Sequence, residues 1–406
     1  MAESQPLPLE GIRILAVEQM QAIPFGTQLL ARLGADVVKV EHPVHGESGR
    51  AGAPSITDVD GSQTGATFLR NNLAKRSIGI DLKNPKGADL VRRLVSNFDV
   101  VTENFKPGTM ERLGLGYEQL AEIHPGLVYV SVSGFGSLRE TPYGHWPAYA
   151  SVAEAMGGFY SFRPEPGRRP NIGVGGAIGD IGTGLFAMIG LLAALQGRQR
   201  TGRGQKVDVA MLDAIISIMD MVAFAPSIGI TDNSVSAWPG ILESFEASDG
   251  LFVLQVGREH QFERLCQTIG RTEWLSDPRF ASREGWSENL DGVIRPAIEA
   301  WASDKTKLEA CTILAESGVV AGPSYEGEDL LADPHVKSHE MLVEIPAPSP
   351  TGVVRVHGNP IKFSSSPEGP AAKWPLIGEH TNEILGADLG LGEAELEVLR
   401  REKVIR

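Results

Sequence analysis

The chain has 406 residues, a formal net charge of −14, and apolar and charged fractions of 42% and 22%. That length exceeds one simple core and implies two domains, or one elaborated domain with an insertion. The acidic balance argues against nucleic acid or an anionic membrane as main partner, while an anionic small molecule can still use a local basic pocket.

The first residues are polar, with no basic region ahead of an apolar core, so no signal peptide is expected. Residues 12–17 read as a strand, 25–33 as a helix ending at Gly34, and 36–41 as a second strand. A strand over 77–81, a helix over 86–98, and strands over 100–103 and 127–133 follow. Such alternation predicts an α/β fold with a mostly parallel sheet, and ligands at the carboxyl ends of its strands. The turn after the first strand, Glu18-Gln19-Met20-Gln21, lacks the GxGxxG dinucleotide fingerprint, and no phosphate-binding GxxxxGK[ST] loop occurs.

Further along, a glycine-rich segment over 173–184 leads into an apolar stretch, 185–195, with Asp180 at the seam. The stretch is too short to span a bilayer. A carboxylate there can cap the helix, and the helix dipole would keep it ionised. Gly175, Gly176, Gly179 and Gly182 would leave room for a bulky ligand. An accessible, held carboxylate suits nucleophilic catalysis; the plain alternative is an ordinary N-cap. A strand over 207–210 comes next, and the pattern changes after about residue 230. The expected domains are 1–224, a smaller α+β domain over 225–335, and a return to the first over 336–406. Cys266 and Cys311 sit in helical patterns without metal-ligand spacing, so core positions in a reducing, cytoplasmic protein are expected, and no metal.

Three sets of residues lie at or near strand ends: His42; Asn72, Leu73, Ala74, Lys75 and Arg76; and Asn104, Phe105, Lys106 and Arg112. Together they can bind a polyanion with an aromatic or amide surface, or be scattered surface charge. His145 and Tyr149 share a loop; Tyr149 either lines a pocket or packs, and Glu154 either meets an acyl group or faces solvent. The GxSxG hydrolase signature, HExxH and His/Cys metal clusters are missing.

Seven stretches in order carry a resemblance: residues 8–15, 33–41, 75–78, 99–108 with 112–114, 178–180, 201–209 and 375–381. On these the chain resembles the class III CoA-transferase family, the group of formyl-CoA:oxalate CoA-transferase, whose superfamily also holds α-methylacyl-CoA racemase. The resemblance implies a Rossmann-like large domain built from both ends of the chain, a smaller middle domain, and an interlocked homodimer. It implies acyl-CoA and a carboxylic acid as substrates, with no permanently bound cofactor. By position Asp180 is the nucleophile, and Gln21 and Ala22 flank the thioester. The resemblance places His42 where relatives often carry a basic residue near the adenine. It implies that Asn72, Leu73, Ala74, Lys75, Asn104, Phe105, Lys106 and Arg112 stand at CoA-binding positions. Tyr149 stands at an active-site tyrosine, which the racemases replace by histidine. Two positions depart from the pattern: Ala150 follows Tyr149, and a run of glycines is missing at Pro239-Gly240.

The implied reaction moves CoA between carboxylic acids through an aspartyl mixed anhydride and an aspartyl-CoA thioester. Gln21 and backbone N–H groups around Gly240 are the expected oxyanion donors, and a lid is expected near Trp238-Pro239-Gly240. The rival readings are a racemase or epimerase of α-branched acyl-CoA, and a non-catalytic acyl-CoA-binding subunit.

Overall fold

A computed structural model describes residues 6–160, 172, 176–219, 222–229, 239–367, 369–370 and 373–406. The chain divides into two compact units, residues 1–228 with 338–406, and residues 229–337.

The first unit is built on six strands: β1 (Arg13–Val17), β2 (Asp36–Glu41), β3 (Arg76–Gly79), β4 (Val100–Glu103), β5 (Val128–Ser133) and β6 (Lys206–Ala210). Every pairing is parallel, in the order β3-β2-β1-β4-β5-β6. Parallel sheets are covered on both faces, which is why Val-Tyr-Val-Ser-Val-Ser in β5 is buried throughout. Successive side chains alternate between the two layers. Ile14 and Ala16 join the core under α1 (Ala22–Arg32), while Leu15 and Val17 join the core under α2 (Pro85–Leu94). Helix α2 starts where expected, because Asn84 caps Lys86 N–H and Pro85 opens the first turn. The C-terminal residues return to this unit: Val404 and Ile405 enter the core, and Arg406 N–H donates to Gly79 O.

Helix α3 (Ala150–Met156) precedes the long helix α4 (Ile178–Thr201), and α5 (Met211–Ile218) follows β6. Helix α4 is 24 residues long, beyond the apolar stretch expected, because the polar tail Gln196 to Arg200 continues it to a left-handed Gly202 (φ +68°). By length and composition it could cross a bilayer, but half of its apolar window is buried inside the protein.

The second unit holds a three-stranded antiparallel sheet of Ile241–Ala247, Gly250–Val256 and Val320–Pro323 with helices packed on it. Its aromatic core stacks Phe262 on Trp286 with ring centres 4.3 Å apart. Cys266 and Cys311 are buried in that core as free thiols, and burial pushes them up to about 12 and about 11.

Candidate active site

The strand order reverses between β1 and β4, which opens a crevice at the carboxyl ends of these two strands. The turn after β1 and the segment after β4 are tied together there. Asn104 Oδ1 accepts the Gln19 N–H at 2.9 Å, and Asn104 Nδ2 donates to Gln19 O at 2.8 Å.

Helix α1 starts from this turn and runs alongside α4 at backbone distance. A Cβ on Gly184 would lie 2.3 Å from Ala22 O, and one on Gly26 would lie 2.7 Å from Met188 Cγ. The pairs Ala22/Gly184 and Gly26/Met188 step in the same direction, so the helices are parallel. One turn back from Gly184, on the same face, is Asp180. Asp180 therefore stands one turn before the point where α4 meets the start of α1 at Ala22. Ala22 is buried, Gln21 is half-buried, and no side chain caps the start of α1.

Asp180 is not the cap that the sequence suggested. It is the third residue of α4, and Ala177 stands at the N-cap without a side-chain bond. The capping carboxylate is Glu154 of α3. Its Oε1 accepts the Gly179 N–H at 2.8 Å, and its Oε2 accepts the Tyr160 hydroxyl. Glu154 is thus buried rather than a solvated helix face. Burial, with the neighbouring Glu154 adding to it, raises Asp180 to about 6. These two effects outweigh the helix dipole, which favours the ionised form. Among the described residues no cation pairs with Asp180.

The glycines also differ from expectation. Gly179 packs on Ala150, and Gly182 packs on Ile218, so both serve helix packing. Gly176, at φ +76°, is open, and Gly175 lies outside the described residues.

The basic candidates separate into two groups. Lys106 and Arg112 are exposed beyond β4, where Arg112 Nη2 donates to Thr109 Oγ1 at 3.0 Å. Phe105 is half-buried, and its N–H donates to Glu103 Oε2 at 2.9 Å. Burial pushes Glu103 up to about 7. His42 is exposed, with Nδ1 accepting from Val44 and His45 N–H, and its ring stacks on His45 at 5.0 Å. Lys75 is turned inward instead. Its Nζ lies 2.7 Å from Glu18 Oε1, 2.9 Å from Pro24 O and 3.0 Å from Asn72 Oδ1. Asn72, Leu73 and Lys75 are all buried, Leu73 in a cluster with Phe68 and Trp374, so their side chains serve the interior rather than an open surface. Ala74 holds a left-handed backbone (φ 59°) between them. Arg76 is taken up by Asp36 and Glu383.

Tyr149 precedes α3 and is 78% exposed, so it does not pack, and His145 is exposed on the same loop. Trp238 lies outside the described residues. Gly240 belongs to the second unit, where its N–H donates to Ser287 Oγ at 3.1 Å and is no open oxyanion donor. Cavities of about 730 Å³ (around Arg258, His260 and Arg283) and about 750 Å³ (around Leu90, Leu391 and Leu399) are not lined by Asp180. Sequence reading missed Glu47, whose carboxylate holds the β1–α1 turn, and Gly26 and Gly184, which set the helix crossing. Nothing local marks Glu47; for Gly26 and Gly184 the signal is a glycine on an otherwise apolar helix face.

A doubly wound six-stranded parallel sheet without the dinucleotide fingerprint, with a buried carboxylate at the start of a long helix packed on it, defines the chain as an α/β protein of a class that binds ligands at strand ends. The chain belongs to CoA-transferase family III, whose family model matches residues 9–381. It is 34% identical to succinyl-CoA–D-citramalate CoA-transferase of Chloroflexus aurantiacus, over 100% of both chains. It is 35% identical to formyl-CoA:oxalate CoA-transferase of Streptomyces coelicolor, over 98% of this chain and 99% of the relative. Among solved structures, a CAIB/BAIF family protein from Brucella suis matches with a TM-score of 0.81 at 34% identity, covering 95% of this chain and 100% of that one. The protein is an enzyme of the class III CoA-transferase type.

Proposed function

We propose that Asp180 is the nucleophile of an acyl-CoA:carboxylate CoA-transferase. An Asp180 oxygen attacks the donor thioester carbonyl, the C–S bond breaks, and CoA leaves as thiolate from a mixed anhydride. The thiolate then attacks the aspartyl carbonyl and expels the donor carboxylate, leaving an aspartyl-CoA thioester. The acceptor carboxylate attacks that thioester and frees the thiolate. The thiolate takes the acceptor acyl group and returns Asp180 as carboxylate. Splitting the exchange in this way is nucleophilic catalysis.

The observation that carries this reading is the close α1–α4 crossing, which supports Asp180 standing beside Gln21 and the uncapped start of α1. The Gln21 amide and the Ala22 and Ile23 N–H groups are the oxyanion donors we assign. Phe105, Lys106 and Arg112, with His42 at the next strand end, bind CoA. Tyr149 borders the acyl group. The names of the relatives suggest succinyl-CoA or formyl-CoA as donors and small dicarboxylic acids as acceptors. A reducing cytoplasm fits the two free, buried thiols.

The working form is an interlocked homodimer. Leu185, Phe186, Ile189 and Leu192 of α4, with Ile216 and Ile218 of α5, are exposed apolar residues that support such an interface. Ile189→Asp should convert a dimer into monomer by light scattering; an unchanged dimer mass sets this interface aside.

The decisive experiment incubates the enzyme with succinyl-CoA or formyl-CoA, quenches with hydroxylamine or borohydride, and weighs the peptides. The Asp180 peptide should carry the adduct. Product accumulating while that peptide stays unmodified would refute the mechanism.

A further inference from the structure

The turn from β1 into α1 holds a residue in a conformation that its side chain does not favour. Met20 has φ 63°, a left-handed backbone that glycine adopts freely and other residues rarely do. Met20 is also exposed, so no packing of its side chain compensates. Strain of this kind persists only where surrounding contacts enforce it.

Those contacts come from distant parts of the chain. Glu47 Oε2 accepts the Met20 N–H at 2.9 Å and the Gly49 N–H at 2.8 Å. Asn104 closes a two-point bond on the backbone of Gln19, the residue before. Glu47 is itself anchored: its N–H donates to Glu41 Oε2 at 3.1 Å, and Arg50 grips Glu41 through bonds of 2.7 and 2.8 Å. The other oxygen of Glu47, Oε1, is buried with no hydrogen-bond partner. A fold that needed only to close this turn would place glycine at position 20 and bury no carboxylate beside it. Local rules broken without local compensation cluster at functional sites.

We propose that Glu47 and Asn104 are positioning residues of the transfer reaction, holding Met20 left-handed so that Gln21 and the first N–H groups of α1 face the acyl carbonyl at Asp180. This rests on the reading of Asp180 as nucleophile. It gives Asn104 a role through the Gln19 backbone rather than as a side-chain contact to CoA.

The test is single-turnover acylation of Asp180 beside steady-state kinetics. Glu47→Ala should lower kcat and the acylation rate about 10- to 100-fold, the scale of a small misplacement of reacting groups, while KM for the donor thioester changes by less than about threefold. Glu47→Gln, which keeps an accepting oxygen, should retain most of the rate. Adding Met20→Gly to Glu47→Ala should restore about tenfold or more, because glycine needs no outside hold at that φ. A general folding role would lower the fraction of folded enzyme and leave the acylation rate per folded active site unchanged. Asn104→Ala should lower kcat at nearly constant KM. If Glu47→Ala does not fold, Asn104→Ala alone decides. Wild-type acylation rates in Glu47→Ala, a folded double variant that stays slow, or an Asn104→Ala effect confined to KM would each overturn the proposal. Absence of any adduct in the wild-type enzyme would instead remove the nucleophile reading, so the two failures are distinguishable.

Discussion

Glu18 and Asp180 are two acidic side chains in the same unit, in opposite surroundings. Burial alone would raise Glu18, but Lys75 at 2.7 Å and Lys39 at 3.7 Å overcome it, and its carboxyl stays below the usual range. Thr27 donates a further hydrogen bond. Asp180 has a second carboxylate, Glu154, as its neighbour, and burial with that repulsion raises it to about 6. The first arrangement ties the end of β1 to Lys39 of β2 and to Lys75 ahead of β3. The second keeps a charge ill-satisfied at the position of the proposed nucleophile.

Neutralising the two groups should therefore have opposite consequences. Asp180→Asn should reduce transfer at least ~1000-fold, as expected when a covalent nucleophile is removed, while CoA binding persists. The same variant should gain stability in urea at pH 7, up to about 2 kcal/mol. Glu18→Gln leaves two buried lysines without a counter-charge and should lose about 3–5 kcal/mol, with part of the loss recovered in Glu18→Gln/Lys75→Met. The pH dependences also differ in sign. Asp180 has a raised folded pKa, so its contribution to stability is present below about pH 4 and lost as pH rises through about 6. Glu18 has a lowered one, so its contribution is present above the usual carboxylate range and lost as pH falls through the folded value. Equal signs in the two denaturation series would break the comparison.

A sharper version uses activity. On the proposed mechanism the ionised carboxylate attacks, so kcat/KM should fall on the acid side with a midpoint near 6. Glu154→Gln removes the repulsion and should move that limb to lower pH, raising activity at pH 5.5 relative to pH 7.5. Glu103, raised to about 7, should not respond to this substitution, which separates the two titrations. The smallest effects belong to the exposed cations. Lys106→Ala and Arg112→Ala should each raise KM for the CoA ester by about three- to tenfold, more at low salt, with kcat unchanged.

Much of this layout was legible in the chain. The strands at 36–41 and 100–103 were read at their observed bounds, because valine-rich runs ending in Glu41 and Glu103 leave little choice. Asp180 could be placed at a helix start from the glycines before it and the apolar run after it. What stayed hidden depends on where a side chain turns. Lys75 reads as a binding cation until Glu18, 57 positions away, draws it inward. Gly179 and Gly182 read as room for a ligand until Ala150 and Ile218 occupy that room. The capping role of Glu154 needed a partner 25 positions along, which no local pattern announces.

At Gly184 main chain lies against the main chain of Ala22 and Gly26, so the closest approach of the two helices does not depend on any rotamer. A contact of that kind lets the residues around the proposed site be exchanged without moving the helix starts. The two named transferases act on different acids, D-citramalate and oxalate, at about the same distance in sequence from this chain, and a fixed chassis with replaceable fittings is what such a contact would permit.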